Sequence, residues 1–404
     1  MRAWTVVAIV ILLALSCGRT GSAEEESCRE EKTDSVAACP GAGDLSSEAM
    51  RKADSVLSGL TLEQRVGQCF MPAIYADCNP PAMNRLRGYI ADFHVGGIVL
   101  LKGDLRSAAL MAGEGGALRV PMFIAIDAEW GLGMRLKDAP GFPRNGRIGA
   151  GADEDLLFDY GREVARECRR VGINMVLGPV VDVAENPHGV IGSRSFGSDP
   201  VRVADLGVAY AKGLESGGVV SVAKHFPGHG SPCGDSHVSL PVIRRSLNQL
   251  DSIDLYPFRS YIDAGLTGVM AGHLAVPAID PKSLPAAVSP VVIGDLLRGE
   301  LGFNGLVLTD ALNMGGAEGH DAAAAILAGA DIVVAPADTE YEIKNVIEKV
   351  RSGELDARII DERCRRILFH KFLIGMGKRD IVPLEGLRED VKGDSDSLYY
   401  RLSS

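Results

Sequence analysis

Positive charge is scarce in this sequence: 42 Lys and Arg stand against 53 Asp and Glu, a formal net charge of −11. No basic run follows the first few residues, so nucleic acid and anionic membrane surfaces, which both call for a basic patch, are poor partners. No Cys-x-x-Cys pair occurs among the eight cysteines, which argues against a cysteine-ligated zinc centre and a dithiol redox site. The 48 glycines include no Gly-x-Gly-x-x-Gly between a strand and a helix and no P-loop, so a nucleotide cofactor is not expected, nor any other. The amino-terminal apolar run, Trp4 to Leu15, is too short to span a bilayer and suits the core of a signal peptide behind Arg2.

Export is therefore expected. Ala14-Leu15-Ser16-Cys17-Gly18 looks like a lipoprotein processing site, which would make residues 1–17 the signal and Cys17 the lipid-bearing residue that anchors the protein to a membrane. Cleavage after Gly21-Ser22-Ala23 is the alternative, giving a soluble secreted form. Residues 18–47, rich in Glu, Ser, Ala and Gly, read as a polar tether. An oxidising compartment would permit disulfides, and Cys28 with Cys39 or Cys69 with Cys78 are close enough to close short loops, although spacing does not fix connectivity.

The 404 residues, 46% apolar and 24% charged, suit a soluble globular protein. Eight β-prone runs follow residue 48: 65–74, 96–101, 121–127, 173–183, 219–226, 267–274, 305–312 and 330–336. Amphipathic stretches such as 154–171, 202–216, 247–264 and 340–352 lie between them. Near-continuous apolar strands alternating with helices predict parallel strands covered by helices. Eight of them suit a closed α/β barrel, (β/α)₈, of one catalytic domain over residues 48–377, with a C-terminal tail at 378–404. Several of these strands end in a polar group, namely Asp127, Asp182, Lys224-His225, His273 and Asp310, and a barrel would gather those ends at one mouth.

The densest chemistry lies in Lys224-His225-Phe226-Pro227-Gly228-His229-Gly230, followed by Asp235-Ser236-His237. Any one of these histidines could be structural, and a metal site is a second reading of their spacing. Zinc, however, needs three or four converging ligands, which loop residues four and eight apart do not define, so no metal is expected. The order Asp-x-His instead suggests a carboxylate that orients an imidazole.

These motifs, with Leu306-Val307-Leu308-Thr309-Asp310-Ala311-Leu312-Asn313-Met314, resemble glycoside hydrolase family 3, and Asp-Ser-His resembles its β-N-acetylglucosaminidases. Ile126-Asp127-Ala128-Glu129 and Ile191-Gly192-Ser193-Arg194-Ser195-Phe196-Gly197 match in the family's order, within a resemblance running from about Leu60 to Gly377. It implies a retaining exo-β-N-acetylglucosaminidase with Asp310 as nucleophile and His237, oriented by Asp235, as acid/base. Asp127, Arg135, Arg194, Lys224 and His225 are the implied sugar-binding residues. Trp130 and Leu132 depart from the glycine and arginine of the resembled pattern; Trp130 either lines the subsite or packs under its loop, and His273 is either a pocket-floor or a structural residue. A carbohydrate, by resemblance a peptidoglycan fragment, is the implied substrate of a monomeric enzyme. The rivals are a β-glucosidase or β-xylosidase, a phosphorylase, and a non-catalytic glycan-binding protein.

Overall fold

Eight short apolar stretches lie side by side and run in the same direction in the computed structural model, which describes residues 42–116, 118–230, 240–377 and 382–404. The first is split at Pro72 into β1 (Phe70–Met71) and β2 (Ala73–Ala76). It is followed by β3 (Gly97–Gly103), β4 (Phe123–Ile126), β5 (Met175–Val176), β6 (Val220–Phe226), β7 (Gly268–Ala271), β8 (Leu306–Thr309) and β9 (Val333–Val334). Strands β2 to β8 pair in chain order, with registers such as Ile98 opposite Ile124 and Val269 opposite Val307. Strand β9 pairs with β1, Phe70 opposite Val333. Thr309 N–H donates to Ile332 C=O at 3.0 Å and Val333 N–H to Cys69 C=O at 2.8 Å, so the curled sheet closes on itself.

This is the expected (β/α)₈ architecture. Its strands are apolar on both faces because side chains fill the barrel inside and helices cover it outside; all seven residues of β6 are buried. The helix Glu154–Val171 coincides with its predicted span. Asp153 caps its first turn by accepting from Leu156 N–H, and Gly172 ends it in the left-handed conformation.

Other segments differ from the sequence reading. The run 65–74 begins as the helix Leu62–Gln68, nucleated by a reciprocal cap between Thr61 and Gln64, and becomes a strand only at Phe70. The stretch 173–183 yields two paired strand residues before Gly178-Pro179, since proline has no N–H for the ladder. The last residues assigned to the tether, 42–47, already belong to the helix Ala42–Ser58, whose Ala49 and Ala53 pack on Cys364, Leu368 and Phe372. Residues 382–404, in the segment read as a C-terminal tail, are packed against the barrel domain. The helices Leu387–Lys392 and Ser395–Ser403 bury Leu387, Val391, Leu398 and Leu402, while Arg166 and Arg170 donate to backbone carbonyls of 383–391. Cys69 and Cys78 are not bonded to each other; both are free thiols, Cys69 in the core. Among the described residues no helix is long and apolar enough to cross a membrane.

Candidate active site

The carboxyl ends of the strands carry the polar groups expected there. Asp127 follows β4, Lys224 and His225 lie near the end of β6, His273 follows β7 and Asp310 follows β8. Four of the five proposed sugar-binding residues are joined in a row of alternating charge that also takes in Glu129. Arg135 donates to Asp127 Oδ2, Lys224 Nζ donates to Asp127 Oδ1 at 2.8 Å, and the same ammonium lies 2.9 Å from Glu129 Oε1. Arg194 closes the row with two parallel bonds to Glu129, at 2.9 and 2.7 Å, the planar fork that guanidinium and carboxylate make best.

Electrostatics keeps the row ionised although it is buried. Burial alone would raise the Glu129 carboxyl, but the Lys224 charge and the Arg194 hydrogen bonds outweigh it and hold Glu129 far below the ordinary range. Asp127 is lowered in the same way, against burial, by Lys224 and Arg135. Lys224, which burial would depress, is raised by Asp127 and Glu129. Rigid charges with fixed hydrogen-bonding directions are what recognition of sugar hydroxyls requires.

The fifth residue, His225, belongs to a second hub. Asp182 Oδ1 accepts from the backbone N–H of His225 at 3.0 Å and of His229 at 2.7 Å, while Oδ2 accepts from His225 Nδ1 at 2.7 Å. The accepted proton on Nδ1 fixes the His225 tautomer and leaves Nε2 as its other ring nitrogen. The Lys224–His225 and Phe226–Pro227 peptides are cis. The glycines that follow serve close packing. Gly228 has φ +132°, and a Cβ on Gly230 would stand 1.7 Å from Val183 O, so neither position has room for a side chain.

Asp310 is half-buried at the mouth. Its Oδ1 accepts from Ala311 N–H at 2.8 Å, and its own N–H donates to Ala271 C=O. Burial pushes this carboxyl up, but the neighbouring His225 and His273 together outweigh it and lower it, leaving an ionised carboxylate. Buried His273 donates from Nε2 to Ala311 C=O at 3.1 Å and is lowered mainly by burial; it fixes the residue after Asp310. Half-buried Trp130 lies under the Arg144 guanidinium, 4.1 Å from its ring centroid.

Asp235 and His237 lie outside the described residues. Sequence reasoning did not select Glu129 or Asp182 as site residues. Glu129 had a signal, since it stands two residues beyond Asp127, where strand alternation returns a side chain to the same face. Asp182 was visible only as a polar strand end. No group of three or more His, Cys, Asp or Glu among the described residues could hold a metal ion.

Comparison with known proteins sets this geometry in context. The model of the glycosyl hydrolase family 3 N-terminal domain matches residues 61–369. The chain belongs to glycosyl hydrolase family 3. This family 3 hydrolase is 38% identical over 262 residues to a β-hexosaminidase of Neisseria meningitidis serogroup C, covering 61% of this chain and 72% of the relative. A family 3 β-N-acetylglucosaminidase from Paenibacillus sp. matches in structure with a TM-score of 0.77 and 32% identity, over 85% of this chain and 68% of that one. A β-glucoside phosphorylase aligns with a TM-score of 0.82 over 88% of this chain and 66% of its own longer chain; at 24% identity that likeness concerns the fold.

Proposed function

We propose that this family 3 hydrolase is a retaining exo-β-N-acetylglucosaminidase. The observation that carries the reading is an ionised Asp310 at a barrel mouth floored by the Arg135–Asp127–Lys224–Glu129–Arg194 row, in a chain with β-hexosaminidase relatives. In this reading the row and His225 hold the terminal sugar by its hydroxyls. The Asp310 carboxylate attacks the anomeric carbon as His237 protonates the departing oxygen, giving a glycosyl-Asp310 ester. His237 then takes a proton from the water that hydrolyses the ester. Asp235 orients the imidazole, whose ordinary pKa of about 6.5 suits both steps near neutrality.

Peptidoglycan fragments ending in β-linked N-acetylglucosamine are the proposed natural substrate. The proposal extends to location: an exported protein held by lipid at Cys17, tested by following the wild type and Cys17→Ala in membrane fractions.

The activity is tested by chromophore release from an aryl β-N-acetylglucosaminide beside the aryl β-glucoside, with and without phosphate. Strong preference for the acetamido sugar and indifference to phosphate are expected. Preference for the glucoside, or turnover that depends on phosphate with a sugar phosphate as product, would overturn the proposal.

A further inference from the structure

The segment 231–239, which carries Asp235 and His237, lies outside the described residues, between Gly230 and Leu240. Both of its flanks contact a single buried carboxylate, Asp254, the last residue of the π-helical turn Leu250–Asp254. On the incoming side, Gly228 is so close that a Cβ there would stand 2.6 Å from the Asp254 Cβ and 3.0 Å from its Oδ1. On the outgoing side, Arg245 Nε lies 2.7 Å from Asp254 Oδ2, and Arg245 Nη2 lies 2.9 Å from Glu185 Oε2. The side chain of Asp254 is fully buried and that of Arg245 is 10% exposed. The outgoing flank is also stitched to the chain after β7, through Ile243 N–H to Ala275 C=O and Ala275 N–H to Pro241 C=O.

An exposed ion pair could be dismissed as surface decoration, but this one is buried. Burial, opposed by Arg245 and reinforced by the charges of Asp182 and Glu185, pushes the Asp254 carboxyl up to about 7, so keeping a carboxylate here is a burden on the fold. An apolar residue of similar size would fill the space at lower cost. What the pair supplies is geometry, because it joins the two flanks at one point beside the Asp182–His225–His229 hub.

We infer that Arg245 and Asp254 are positioning residues of the reaction, which hold the two flanks of the Asp235–His237 segment at a fixed spacing beside the mouth. The inference rests on the proposed acid/base role of His237. Neither residue touches the sugar; they act on leaving-group protonation through the segment they hold.

The experiment compares kcat on N,N′-diacetylchitobiose, whose leaving sugar needs protonation, with kcat on an aryl N-acetylglucosaminide, whose phenol needs little. Arg245→Met is expected to lower the first about tenfold and the second less than threefold, with KM on both unchanged and the melting temperature within a few degrees of wild type. Arg245→Lys, which keeps the charge, should recover most of the loss, and Asp254→Asn should follow Arg245→Met. In a His237→Ala background Arg245→Met should add no further loss on the disaccharide, because residues acting through one group are not additive. Equal losses on both substrates, a rise in KM alone, or full additivity with His237→Ala would overturn the inference. If His237→Ala by itself treats the two substrates alike, the acid assignment fails first, and that result is distinct from an Arg245 effect that lacks leaving-group dependence.

Discussion

Glu129 shows how one side chain can hold up a site. Its buried carboxylate is shared by Arg194 and Lys224, so Glu129→Ala would leave three cations, Arg135, Lys224 and Arg194, with Asp127 as the only anion of the row. Breaking a buried pair by removing one partner costs roughly 3–5 kcal/mol, and a loss of that size is expected in chemical denaturation, together with loss of turnover. Glu129→Gln, which keeps the shape, should lose less stability. Asp310→Ala should behave differently, because Asp310 is bonded mainly to its own neighbouring backbone. Turnover is expected to fall by roughly 10³-fold or more while the unfolding midpoint stays near wild type, and wild-type rates from a folded variant would rule Asp310 out as nucleophile. At this scale Asp127, Lys224 and Asp310 were legible because each ends an apolar run. The pairing of Asp182 with two histidines was not, since it joins the ends of different strands and leaves no local pattern.

The helix Ala357–Leu373 covers the side of the barrel where the sheet closes, and its inner face buries ionisable groups as well as apolar ones. Lys371 donates to Gln68 Oε1 at 2.7 Å, and His370 sits edge-on to Phe369. Burial lowers His370 to about 4, helped by Arg366 and Arg298 against the opposing pull of Asp331. Its folded-state value lies below the unfolded one of about 6.5, so the folded protein binds this proton more weakly. Stability from this residue is complete above about pH 6.5 and is lost as pH falls through about 4, by an amount on the order of 3 kcal/mol. His370→Gln should remove that limb from a plot of unfolding free energy against pH; an unchanged limb would show that His370 is not its source. Elements with strong local signals were read well, as the cap and left-handed glycine around Glu154–Val171 illustrate. The helix Leu62–Gln68 was hidden because its short apolar run also fits a strand, and only the Thr61–Gln64 cap distinguishes them.

The molecule as a whole extends past the barrel that its motifs outline. The polar composition after Gly377 suggested a tail, yet four apolar residues spaced along it reach the core, and two arginines of Glu154–Val171 hold its backbone. Removing residues 387–404 exposes the surface that Leu387, Val391, Leu398 and Leu402 cover. At about 1.5–3 kcal/mol per buried aliphatic side chain, a loss of several kcal/mol is expected, with KM for the aryl N-acetylglucosaminide unchanged in the fraction that remains folded. A truncated enzyme as stable as the full chain would show these helices to be dispensable.

The seam between β1 and β9 bears on the order in which the molecule can be completed. The carbonyls of Cys69 and Met71 wait for Val333 and Ala335, near the far end of the chain, and β8 waits for Ile332. During synthesis the sheet therefore grows with two unpaired borders, one at each side, and unpaired borders recruit strands from other molecules. A nascent chain halted before residue 331 should accumulate in aggregates, whereas release of the last strand should rescue solubility within the same molecule. The contact that seals the ring thus doubles as a timer: until the chain from residue 331 onward arrives, the sheet has two edges to protect, and afterwards the ring of described strands has none.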